Sequence, residues 1–142
     1  MTSPLQQVTA LTLDLDDTLW PVRPTLIAAE KVLAEWLRTN APATAQHTPP
    51  PAMLALRAEV AAEHPQWAHD LSAIRLETIR RALRKHGDDP ALADLAFDVF
   101  FEARHAVTLY DDVLPGLERL ASRYRLVAVS NAPEVGVFAD GP

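Results

Sequence analysis

Asp14 and Asp16 stand one residue apart at the end of an apolar, β-branched stretch, Val8-Thr9-Ala10-Leu11-Thr12-Leu13. Open parallel sheets present their ligand sites where strands end, and a carboxylate pair in that position can divide the work of phosphoryl transfer. One carboxylate attacks phosphorus, while its neighbour donates a proton to the leaving group and later takes one from water. A magnesium ion held by Asp14, Asp16 and nearby oxygens would offset the repulsion between two anions and an incoming phosphate. Taken alone, the run from Asp14 to Thr18 is also a plain polar turn after a strand.

The elements that must hold these groups follow from periodicity and breakers. Val8–Leu13 reads as a buried strand emptying into an acidic loop. A helix is predicted from Pro24 or Thr25, with Leu26, Ala29, Leu33, Trp36 and Leu37 as its apolar stripe. The proline-rich segment from Ala41 to Pro51 reads as a connecting loop. Helices follow over Ala52 to Glu63, over Asp70 to His86 with Gly87 ending it, and from Asp89-Pro90 to about Val107. In the second of these Leu76, Ile79 and Leu83 face inward, and in the third Leu92, Leu95, Val99, Phe100 and Ala103 do. A short helix over Pro115 to Ser122 leads into Leu126-Val127-Ala128-Val129, an apolar run typical of a strand covered on both faces, which stops at Ser130-Asn131. The order strand, helical insertion, helix, strand is a βαβ crossover with a large excursion between its strands.

Composition narrows the field. The 142 residues suffice for one domain or a small domain with an insertion, and 49% hydrophobic with 23% charged residues fits a globular protein. A formal charge of -6 argues against a nucleic-acid or anionic-membrane binder. The chain has no cysteine, which removes disulfides and thiolate chemistry. With neither a signal-peptide pattern nor a membrane-spanning run, the expected location is the cytoplasm. The basic cluster Arg80, Arg81, Arg84, Lys85 and His86 sits in the last turns of its helix, where cations complement the dipole. Trp20, just after the acidic loop, is a candidate for substrate contact or for packing a hinge.

The string LTLDLDDTLW resembles the first motif of the haloacid dehalogenase-like hydrolases, an apolar strand followed by DxDxT. The resemblance implies a nucleophile at Asp14, a general acid/base at Asp16 and a supporting hydroxyl at Thr18. LVAVSNA is similar to that family's second motif and implies a phosphate-binding role for Ser130, with Asn131 beside it. Members often insert a helical cap after the first motif. The implied architecture is therefore α/β: an incomplete Rossmann-like parallel core over residues 1–20 and 110–142, with a helical cap over 21–109. A second aspartate at Asp16 favours magnesium-dependent phosphatase chemistry on a small phosphorylated molecule over carbon–halogen cleavage.

The chain departs from the family pattern in its second half. The third motif is a lysine and the fourth an acidic metal ligand, yet the only lysines are Lys31 and Lys85, and after Asn131 only Glu134 and Asp140 are acidic. A member truncated after its second motif is the expectation, with one flank of the Asp14 strand left unpaired and open to self-association. The alternative to a phosphatase is a catalytically inactive member that works as a helical interaction or ligand-binding module.

Overall fold

The structure is a computed structural model and describes residues 7–130. Asn131 and the tail with Glu134 and Asp140 lie outside the described residues. The chain divides into two compact units, one of Met1–Val22 with Val107–Pro142 and the other of Arg23–Ala106.

In the first unit, strand β1 (Ala10–Leu13) pairs in parallel with β2 (Arg125–Ala128), in the register Ala10↔Arg125 to Leu13↔Ala128. Backbone bonds bracket the ladder, from Arg125 N–H to the Thr9 carbonyl at 2.9 Å and from Val129 N–H to the Leu13 carbonyl at 2.8 Å. Both strands alternate, with Leu11, Leu13, Leu126 and Ala128 half-buried on one face and Ala10, Thr12, Arg125 and Val127 exposed on the other. The continuous apolar run therefore does not mark a strand covered on both faces: Val127 is 43% and Val129 55% exposed. The physical reason is the period of two, which sends every second side chain of β2 away from the packed face. A nine-residue helix, α6 (Val113–Ala121), packs against β2 and buries Val113.

The second unit is helical. Its elements are α1 (Val22–Asn40, whose first residue belongs to the other unit), α2 (Pro42–His47), α3 (Pro50–Glu63), α4 (Leu71–His86) and α5 (Leu92–His105). The segment read as a loop from Ala41 to Pro51 thus holds a short helix and the start of another. Pro42 and Pro50 sit in first turns, where no intrahelical N–H bond is lost. Helix α2 is held by a contact distant in sequence: the N–H and hydroxyl of buried Thr44 both donate to Asp88 Oδ2, each at 2.7 Å. Helix α4 ends as its residues dictate. The Asp70 carboxylate accepts from Ala73 N–H at 2.8 Å, and Gly87 takes the left-handed conformation with φ 80° that glycine adopts without Cβ strain.

Leu33, Leu37, Met53, Ile79, Leu83, Ala93, Ala96 and Phe100 build the core of this unit. Small residues bring α5 close to it, so the buried stripe runs through Ala93, Ala96 and Phe100, and Leu95, expected inward, is 57% exposed. Glu30 Oε1 accepts from Arg75 at 2.6 Å and from Arg57 at 3.1 Å, and the Arg75 guanidinium lies 3.5 Å from the Phe100 ring centroid. Burial pushes Arg75 below the ordinary arginine range, and the Glu30 charge opposes that shift. Arg80 and Arg81 of the basic cluster pair with Glu77, and Arg81 also with Glu63.

Leu83→Ala should cost about 2–5 kcal/mol of unfolding free energy, whereas Leu95→Ala should stay within about 0.5 kcal/mol. Urea denaturation of the two variants checks the contrast.

Candidate active site

The acidic loop is a built structure. Leu15, between the two aspartates, is buried at 4% exposure, and its carbonyl accepts from Thr18 N–H at 3.1 Å and Leu19 N–H at 2.8 Å. That single helical turn anchors the loop through its one apolar side chain and leaves Asp14 exposed and Asp16 half-buried. Asp17 has a φ of 58°, a left-handed conformation that aspartate tolerates better than most residues. Its N–H reaches forward to the Trp20 carbonyl at 2.8 Å, and Asp16 and Trp20 form an isolated parallel bridge.

Three carboxylates within four residues would repel one another if left to themselves. Each instead accepts from a donor further along the chain. Thr18 Oγ1 donates to Asp14 Oδ2 at 3.3 Å, Trp20 Nε1 to Asp16 Oδ1 at 2.9 Å, and Val22 N–H to Asp17 Oδ1 at 2.9 Å. The last bond ties the loop to the first residue of α1. The returning chain is fastened to the same segment, since Tyr110 N–H donates to the Leu19 carbonyl at 3.0 Å.

Ser130 is half-buried at the end of β2. The bond from Val129 N–H to the Leu13 carbonyl is the last one before both strands end, so Asp14 and Ser130 leave the sheet at the same edge. Asp14, Asp16, Thr18 and Ser130 thus belong to one unit and one end of one ladder, while Asn131 lies outside the described residues. The two lysines fall on α1 and α4 of the helical unit. Trp20 was legible as a candidate, but its bond to Asp16 was not, because that bond needs the loop to close through left-handed Asp17. Asp17 itself was missed. Its signal is an aspartate in a turn five residues ahead of a helix start.

The donor set of Asp14 and Asp16 is hard oxygen, which suits magnesium, an ion commonly held by one or two carboxylates with water and substrate phosphate completing its shell. Among the described residues no group of three or more His, Cys, Asp or Glu side chains converges to hold a metal.

No family model matches the chain. It is 29% identical over 132 residues to 5-amino-6-(5-phospho-D-ribitylamino)uracil phosphatase YigB of Escherichia coli (strain K12), an alignment that covers 90% of this chain and 55% of the relative. Among solved structures it is similar to a 2-haloacid dehalogenase from Pseudomonas syringae pv. Tomato DC3000, with a TM-score of 0.79 and 34% identity, over 91% of this chain and 57% of that one. The chain thus spans little more than half the length of either protein.

Asp17→Gly keeps the left-handed backbone and loses only the bond to Val22, whereas Asp17→Val loses both. The glycine variant should be the more stable by about 1 kcal/mol or more. Thermal unfolding of the pair measures the difference.

Proposed function

We propose that this chain, which belongs to the haloacid dehalogenase-like hydrolase superfamily, carries the nucleophilic portion of a phosphatase site that acts on a small phosphorylated metabolite. The observation that supports this most is the shared edge of Asp14 and Ser130, fixed by the β1–β2 ladder. In this reading an Asp14 oxygen attacks phosphorus, the bond to the leaving-group oxygen breaks, and that oxygen takes the Asp16 proton. The product is an aspartyl-phosphate. Asp16, now a carboxylate, takes a proton from water as the water attacks the phosphoryl group and releases Asp14. The Thr18 hydroxyl orients Asp14, and the Ser130 hydroxyl with Asn131 holds the phosphoryl oxygens.

Magnesium bound by Asp14 and Asp16 would neutralise negative charge around the phosphoryl group. In this reading the helical unit is the family's cap and the source of substrate selection. The phosphatase relative supports phosphate over halide as the group removed, and a second carboxylate at Asp16 supports the same choice because leaving-group protonation requires it. No helix among the described residues is long and apolar enough to cross a membrane.

A second reading rests on a different observation. The main core cluster lies wholly within the helical unit, so an inactive chain could still present that unit as an interaction or ligand-binding module.

With an aryl phosphate ester and magnesium, Asp14→Asn should lower kcat by about 10³-fold or more. Ser130→Ala should lower it by about 10²-fold, the size associated with one donor to a developing oxyanion. Steady-state kinetics on the purified chain decide the reading. Hydrolysis that is unchanged in Asp14→Asn contradicts it.

A further inference from the structure

We infer that the groove between α1 and α3 of the helical unit is a binding site for a small organic carboxylate with a benzene-sized apolar body. The site lies wholly within Arg23–Ala106 and does not depend on turnover at Asp14. Helices α3 and α5 lie close against α4, whereas α1 makes no comparably close backbone approach to α3. Leu33 and Leu37 of α1 and Met53 of α3 line the cavity of about 140 Å³ found there. An apolar cavity of about 150 Å³ takes one benzene molecule.

Charge selects the occupant. Glu30 lines one end of the groove, and its Oε1 accepts from Arg75 at 2.6 Å and pairs with Arg57 at 3.1 Å. One arginine neutralises one carboxylate, so two guanidiniums on Glu30 leave that end with a net positive charge. Arg75 is committed: it donates to Glu30 and stacks on the Phe100 ring, with only 12% of its side chain exposed. Arg57 stands one turn beyond Met53 on α3, and its side chain is 24% exposed. Its one ion pair among the described residues is with Glu30. A planar guanidinium presents five N–H donors in a fork that matches a carboxylate. At the other end Arg38 pairs with Glu35, and buried Thr48 adds a hydroxyl, so charge there is balanced. An apolar slot with excess positive charge at one end complements an aromatic carboxylate better than a neutral or cationic ring.

Met53 is one of two methionines, so isotope-labelled methionine methyl groups report on the groove by NMR, and Met53→Leu identifies the signal. Benzoate titrated into the full chain should shift the Met53 signal saturably, with benzyl alcohol and benzylamine bound at least about 10-fold more weakly. Arg57→Gln should weaken benzoate binding by about 10-fold or more, Arg57→Lys by less, and Arg38→Gln by less than about 2-fold. Thermal unfolding verifies that each variant folds, and the comparison of benzoate with benzyl alcohol needs none of them. An unsaturable Met53 shift, equal affinity for benzyl alcohol, or undiminished benzoate affinity in folded Arg57→Gln overturns the assignment.

Discussion

Parallel pairing of β1 with β2 is the constraint on which the site depends. Asp14 and Ser130 are 116 positions apart in the sequence, and the ladder from Ala10↔Arg125 to Leu13↔Ala128 is what makes them neighbours at one sheet edge. A parallel pair requires a crossover between its strands. Here the crossover contains a whole helical unit, and the returning chain is fastened by Tyr110 to the outgoing segment at Leu19. The inserted unit has its own core, built on Leu33, Ile79 and Leu83.

The acidic loop meets a second constraint, the crowding of like charge. Asp14, Asp16 and Asp17 are not matched by an adjacent lysine or arginine in sequence, and the structure answers with directed donors: a hydroxyl, an indole and a helix-start amide. Such bonds fix direction as well as offset charge. The donors differ in kind, which distinguishes the carboxylates. The hydroxyl on Asp14 can rotate and both donate and accept, while the indole N–H on Asp16 only donates.

Much of this was legible from residue types. Asp70 and Gly87 delimit α4 because one supplies a side-chain acceptor and the other tolerates positive φ. The aspartates after Leu13, and the serine after Val129, mark strand ends whose order along the chain implies a shared edge. Proline misled where its position within a helix mattered: Pro42 and Pro50 start α2 and α3 rather than interrupt them. Leu95 misled because size was read as burial, when the close approach of α5 is made by Ala93 and Ala96. The exposure of Val127 and Val129 was hidden by an apolar run that gives no alternation to read. The Trp20 bond depends on the backbone angle of one aspartate, and no residue pattern encodes it.

The chain spans 55% and 57% of the two relatives, and the described ladder has two strands. That short ladder sets the shared end of Asp14 and Ser130. A background without cysteine allows a direct test. Thr12 and Val127 are register partners on the same exposed face, and neighbouring strands lie about 4.8 Å apart, within disulfide range. Oxidation of Thr12→Cys/Val127→Cys should give an intramolecular disulfide in high yield, while Leu11→Cys/Val127→Cys, with side chains on opposite faces, should give little. Equal yields from the two pairs, or preference for the second, would contradict the register and with it the placement of Asp14 beside Ser130.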